Sequence, residues 1–366
     1  MDARDEARLA LDRLPSRFPT DGDAPKRSAW GSIAVGTLSI GLIAALAVFW
    51  QTGKPGPLVA SAATPSALSV EEIDRTIEQG RTLIADGTPE QAVPLLEQLV
   101  DVVPTDRDSR VALGQAYLAA GRDDQAYQQF AQTLRDGPPD AQLQFAAGTL
   151  ASKLGQPRVA IGHLRTAHDA DPSNPDYALF LGQAELKEGR LDQARAALVR
   201  STHARPEDAR AWGMLAEIAL RENRPEMALQ HVGRARHHDP ENDAWKIIQA
   251  RSLKRRGEAA QATAVLGTLS DQAKLSKPVV RLAGECFGML KRPDQAAALY
   301  RLASDAKPKD GELAFEAAVW LDKADQRPIA LTYAKRAFEA DHPSAEALVE
   351  KLSDQREFKA QPRPAG

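Results

Sequence analysis

Alanine recurs at one fixed interval of 34 residues along this chain: Ala92, Ala126, Ala160, Ala194, Ala228, Ala262, Ala296 and Ala330, with no insertion or deletion between any two. A period of about 20 to 50 residues held in phase marks a repeat solenoid, in which each unit buries its apolar face only against its neighbours. Counted from Ile73, the units are 73–106, 107–140, 141–174, 175–208, 209–242, 243–276, 277–310 and 311–344. Such a chain can fold only by stacking.

Three further positions keep the same phase. The eighth holds Gly80, Gly114, Gly148, Gly182, Ala216, Ala250, Gly284 and Ala318. Small side chains there, and at the alanine ladder itself, let the two helices of a hairpin approach closely. The twenty-fourth position holds mostly larger apolar residues: Leu96, Phe130, Leu164, Leu198, Val232, Leu266, Tyr300 and Ala334. Pro104, Pro138, Pro172, Pro206, Pro240 and Pro308 stand at the thirty-second, where a second helix must stop before the next unit begins. In this the array resembles the tetratricopeptide repeat (TPR) family, with unit 107–140 nearest its pattern (Leu113, Gly114, Tyr117, Ala126, Phe130, Pro138) and Trp212 at a position where the family often carries tryptophan. The pattern slips at Lys274, with Pro278 displaced onward, and at His342, with Pro343 one residue late. The first unit is weak in its first helix, as a terminal repeat is expected to be.

The expected architecture is all-α. It is a TPR α-solenoid of about eight helix-turn-helix repeats over residues 73–343 with a C-terminal capping helix at 344–358, behind one N-terminal transmembrane helix. Ser344 is placed to cap that last helix, with Ala345, Leu348, Val349 and Leu352 on one face and Glu346, Glu350, Lys351 and Asp354 opposite. An open solenoid needs such a finish. The tail 359–366 reads as disordered.

Ahead of the array, residues 1–29 form a polar tail of balanced charge, and 28–53 contain no charged residue. Trp30–Trp50 is an apolar run long enough to span a bilayer as a helix, with tryptophan at both interfaces. It is too long for the apolar core of a secretory signal. Arg13, Arg17, Lys26 and Arg27 precede it, while Lys54 alone follows closely, so the N-terminus is expected to be cytoplasmic and the array on the far side. In a bacterium that means the inner membrane with a periplasmic array. Thr37, Gly41 and Ala45 offer a small-residue face for weak homodimerisation within the bilayer. The stretch 51–72, rich in Pro, Ala and Ser, reads as a linker.

Composition and motifs argue against several classes of function. A net charge of −3 gives no overall pull toward nucleic acid. The single cysteine, Cys286, permits no intramolecular disulfide and no paired-cysteine metal site, and it reads as a partly buried, inert thiol. No phosphate-binding, nucleophile-elbow or zinc-protease motif occurs, and no two histidines have the i, i+4 spacing of helical metal ligands. No enzyme activity and no cofactor are expected.

What remains is a surface. The resemblance implies a concave face lined by first-helix positions, which places Arg221, Arg251, Lys254, Arg255 and Arg281 there, with Lys153 and Lys187 earlier. Phe145, Leu179, Leu186, Leu220 and Ile247 lie among them. Such a groove suits acidic or C-terminal peptide segments of other proteins. The chaperone-tail clamp of some family members is not reproduced, because Gln115 and Gln183 occupy its asparagine position. The expected role is a membrane-tethered scaffold for protein partners in envelope assembly. The alternatives are a structural subunit of a secretion, pilus or polysaccharide-export machine, or a periplasmic chaperone-like or cytochrome-maturation factor.

Overall fold

The computed structural model describes residues 68–354. The tail 1–29, the apolar run Trp30–Trp50 with its Thr37, Gly41 and Ala45 face, the spacer up to residue 67 and everything after residue 354 lie outside the described residues. Among the described residues there is no strand, and no helix is long and apolar enough to cross a membrane.

The chain divides into two compact units, one ending at His163 and one beginning at Leu164. The first contains α1 (Val70–Ala85), α2 (Pro89–Val102), α3 (Arg107–Ala119), α4 (Asp123–Asp136), α5 (Ala141–Lys153) and the start of α6 (Pro157–Ala170). The second holds the end of α6 and the hairpins α7 (Pro175–Lys187) with α8 (Leu191–Ala204), and α9 (Ala209–Arg221) with α10 (Pro225–His238). It continues with α11 (Asp243–Arg255), α12 (Ala259–Gly267), the single turn α13 (Asp271–Lys274), α14 (Lys277–Met289) and α15 (Pro293–Ala306). It closes with α16 (Gly311–Lys323), α17 (Arg327–Glu339) and α18 (Ala345–Ser353).

Local chemistry sets these boundaries. First helices from α3 onward open directly after Asp106, Asp140, Asn174, Asp208, Asn242, Ser276, Asp310 and Ser344, one residue per repeat. The Asp106 carboxylate accepts from the Ser109 N–H, Asp140 from Leu143, Asp310 from Leu313, Asn174 from Tyr177 and Asn242 from Ala244. Each such cap satisfies an orphan helix donor and is worth about 1 kcal/mol. The first helix of each of the eight repeats, α1 included, is followed by a residue with left-handed backbone: Gly87, Gly121, Gly155, Gly189, Asn223, Gly257, Lys291 and Asp325. That conformation returns the chain for the second helix.

Packing follows the sequence pattern. Every described rung of the alanine ladder is fully buried, and so are Leu96, Phe130, Leu198 and Val232. A Cβ built on Gly114 would lie 2.4 Å from Phe130, on Gly182 2.6 Å from Leu198, and on Gly284 2.5 Å from Tyr300. The eighth and twenty-fourth positions are therefore one packing pair. Each buried Leu or Phe adds about 1.5–3 kcal/mol relative to exposure.

Three boundaries differ from expectation. Helix α1 starts at Val70, ahead of Ile73, because Ser69 and Glu72 form a reciprocal capping box. In the sixth repeat α12 stops at Gly267, short of its counterparts. Leu269 then turns inward, and the Ser270 hydroxyl donates to Asp243 at 2.5 Å while capping α13. The slipped proline at 278 is the sequence trace of that early stop. Finally, Ser344 makes no side-chain cap; its N–H donates to His342 Nδ1 at 3.3 Å. Helix α18 nevertheless buries Ala345 and Leu352 and exposes Glu346, Glu350 and Lys351. Arg327 donates to the Leu352 carbonyl at 3.1 Å and to that of Asp354 at 3.0 Å, finishing the helix end.

Candidate protein-binding surface

The predicted cations of the second unit sit on successive first helices, and all but Arg255 pair with a carboxylate. Glu217 of α9 is bracketed by Arg221 at 3.3 Å and by Arg251 of α11 at 2.7 Å. Lys254 pairs with Glu285 of α14, and Arg281 pairs with Glu312 of α16. Lys277, which the sequence reading passed over, reaches Asp310 at 3.0 Å and Glu312 at 2.9 Å. The Lys277 ammonium beside it holds the Glu312 carboxyl below the usual carboxylate range, and Lys277 is raised in return. Six cations thus face four carboxylates over four helices, leaving the row positive.

Two of the arginines do structural work as well. Arg221 donates to the Leu186 carbonyl at 3.2 Å, and Arg255 donates to the Leu220 carbonyl, both at the end of the preceding first helix. Arg255 also reaches Asn223 Oδ1 at 3.4 Å. These guanidinium groups add a second donor, one repeat back, to carbonyls that already accept from the Gly189 and Asn223 N–H groups at 3.1 Å. Leucine followed by a cation at matching positions, Leu186 with Lys187 and Leu220 with Arg221, is the hint of it in the sequence.

The apolar members of the expected groove behave differently. Leu179 and Leu220 are at 1% and 0% exposure and belong to the core beneath the row. Leu186 is also buried, and Ile247 is half-buried. In the first unit Phe145 is buried, and Lys153 pairs with Asp123 at 2.6 Å. The correction is physical: first-helix residues are flanked by a helix on either side, so an aliphatic side chain there turns to the core while arginine and lysine stems snorkel outward. The accessible surface is charged and the apolar layer supports it from below.

Among the described residues no group of three or more His, Cys, Asp or Glu converges as metal ligands would. Cys286 is wholly buried, more so than expected, and burial pushes its thiol up. His163, His168 and His231 are held below the ordinary imidazole value, chiefly by burial.

The sequence matches the family profile of the tetratricopeptide repeat over residues 83–148 and 151–218, spans that run from the end of α1 into α5 and from the end of α5 into α9. Over these two stretches the chain carries tetratricopeptide repeats. No curated protein sequence matches it. Solved TPR structures do. YrrB, described as a TPR protein with an unusual peptide-binding site, is 21% identical, with 48% of this chain and 90% of that one aligned at a TM-score of 0.46. MamA of AMB-1 is 26% identical over 46% and 99% of the two chains, with a TM-score of 0.42. PilF of Pseudomonas aeruginosa is 19% identical over 55% and 92%, with a TM-score of 0.45. None of the three bears on what this TPR chain binds.

Proposed function

We propose that this chain is a scaffold that holds protein partners beside a membrane. Trp30–Trp50 tethers it, and the row on α9, α11, α14 and α16 engages acidic or C-terminal peptide segments. The observation that carries the reading is the excess of cations over carboxylates on successive first helices. Exposed ion pairs are worth only about 0–1 kcal/mol each, so a partner's carboxylate can displace Glu217, Glu285 or Glu312 at small cost. Tethering raises the concentration of the row near membrane-bound partners. With the N-terminus cytoplasmic the TPR array lies on the opposite side, which in a bacterium is the periplasm, and envelope assembly is the role that fits.

The test is a cross-linked pull-down from membranes, comparing the wild type with an Arg251→Glu, Arg281→Glu double variant. Both residues touch only carboxylates, unlike Arg255, so the repeats should stay folded while capture falls. Unchanged capture removes the row from the function. A reporter fused after Gly366 that is active only in the cytoplasm overturns the orientation.

A second reading, a permanent subunit of a larger export or pilus machine, draws on Leu302, Ile329 and Phe338, large apolar residues exposed on α15 and α17. Stoichiometric co-purification in mild detergent, insensitive to Arg251→Glu, favours it.

A further inference from the structure

The second helices carry a pocket that the peptide-binding reading does not use. It is a cavity of about 480 Å³ between α8 and α10, with α9 beneath. Trp212 and Leu215 line its buried floor, and His203, Gln230, His231 and Arg234 line its upper walls. The volume lies within the range of small-ligand sites, about 300–1,000 Å³.

The floor is held still. The Trp212 indole N–H donates to the Pro206 carbonyl at 2.7 Å, which fixes the ring plane. His231 stacks on it with ring centroids 5.8 Å apart and planes at 25°. The Arg234 guanidinium lies over the same indole, 4.5 Å from its centroid. Among the described residues no carboxylate pairs with Arg234, although most arginines of the repeats around it have one. No acidic side chain lines the cavity either, in a chain whose net charge is negative. A guanidinium left unpaired against a fixed aromatic plane is a ready partner for a planar anion, since its fork is matched to a carboxylate and its face to a ring.

We propose that this pocket binds an aromatic carboxylate, with the Arg234 guanidinium on the carboxylate and the ring in the cavity beside the Trp212–His231 stack. His203 and Gln230 also line the cavity and carry N–H donors. Burial and the neighbouring Arg234 hold His231 below its ordinary value, so it meets the ligand as a neutral stacking ring. The site opens on the second helices, takes only its floor from α9, shares no residue with the row, and stands or falls independently of it.

Calorimetric titration of the full chain in mild detergent, with 2-naphthoate as probe and 2-naphthamide as its neutral counterpart, tests the assignment. Naphthoate should bind, and both the amide and an Arg234→Gln variant should weaken binding at least about tenfold, the loss of one charge-assisted contact. Arg234→Lys, which keeps the charge without the planar fork, should fall between. Helical circular dichroism checks that each variant is folded. N-acetyltryptophan separates the sources of the carboxylate. Tighter Arg234-dependent binding than naphthoate assigns the pocket to a peptide C-terminus, and weaker binding to a free acid. Equal binding of amide and acid, indifference to Arg234→Gln in a folded variant, or no binding of naphthoate or N-acetyltryptophan at about 5 mM would falsify the proposal.

Discussion

Replacing Gly114 by alanine sets helix propensity against packing at one atom. Within α3, glycine is about 0.8–1.0 kcal/mol less favourable than alanine, so the change should stabilise if nothing else mattered. The new Cβ, however, would lie 2.4 Å from Phe130 Cε1 and 2.7 Å from Cδ1, where carbon atoms prefer about 3.5–4.0 Å. Phe130 is 1% exposed and has no free space to retreat into. Over-packing of this kind costs typically about 1–3 kcal/mol, so the net effect should be a destabilisation of about 1 kcal/mol. Gly233, in α10, has nothing within 4 Å of its virtual Cβ, and Gly233→Ala should instead stabilise by close to the full propensity difference. Adding Phe130→Leu to Gly114→Ala recreates the Ala250 and Leu266 pair of the sixth repeat and should recover part of the loss. A coupling of about 0.5–3 kcal/mol between the two sites is the expected signature. Amide hydrogen exchange in α3 and α4 reads the local free energy, which suits an array that opens in segments. If Gly114→Ala proves as stabilising as Gly233→Ala, or the coupling is near zero, the packing-pair argument is wrong.

Other expectations come from the repeat columns. Lys291 and Asp325 hold φ of 56° and 58° where other repeats carry glycine, so Lys291→Gly and Asp325→Gly should each raise stability by roughly 1 kcal/mol in urea denaturation. Asp140 both caps α5 and pairs with Arg107 at 2.5 Å; Asp140→Ala should lower stability by about 1–2 kcal/mol and Asp140→Asn, which keeps an acceptor, by less. The depressed imidazoles of His163, His168 and His231 predict a pH effect. Below about pH 6.5 the unfolded chain takes up protons that these buried rings resist. Their stabilisation is thus complete above that pH and is lost as pH falls toward the folded values. Thermal unfolding should shift down between about pH 7 and 5.5, and replacing all three with glutamine should flatten the dependence; an unchanged slope in that variant contradicts the assignment.

Much of the fold was readable because its period is rigid. The ladder at Ala92 to Ala330 located every hairpin, and the Gly114 and Phe130 columns named the residues that touch. Two further columns share that phase and are equally visible: the capping residues from Asp106 to Asp310, and the left-handed turn residues from Gly87 to Asp325. They escape a search for apolar periodicity because they are polar or conformational signals, each effective for a single residue. The site was less legible. That Arg251, Lys254 and Arg281 share one row follows from helical position. That Glu217, Glu285 and Glu312 interleave them depends on long side chains reaching a neighbouring repeat, which spacing in one repeat does not encode. Leu179 and Leu220 show the converse, since their place in the groove pattern says nothing of which way an aliphatic chain turns when a helix flanks it on both sides.

The interleaved carboxylates also determine how binding and stability are linked along the row. Arg251, Lys254 and Arg281 each join one first helix to the next, so a ligand that takes over a cation releases a repeat-to-repeat tie and replaces it with one to itself. At sites as exposed as Arg281, 57% accessible in its side chain, the released tie is worth little and the exchange leaves the array intact. Arg221 and Arg255 are different, because their donors also reach the carbonyls of Leu186 and Leu220 one repeat back, beside the Gly189 and Asn223 N–H groups those carbonyls already accept. A ligand that pulled them away would have to meet the loss of that contact. On the proposed reading the row therefore contains two kinds of cation: exchangeable ones open to an acidic partner, and ones with an added backbone contact to the preceding repeat. Partner selectivity should accordingly reside in Arg251, Lys254 and Arg281, and salt should weaken capture through these three before it loosens the fold.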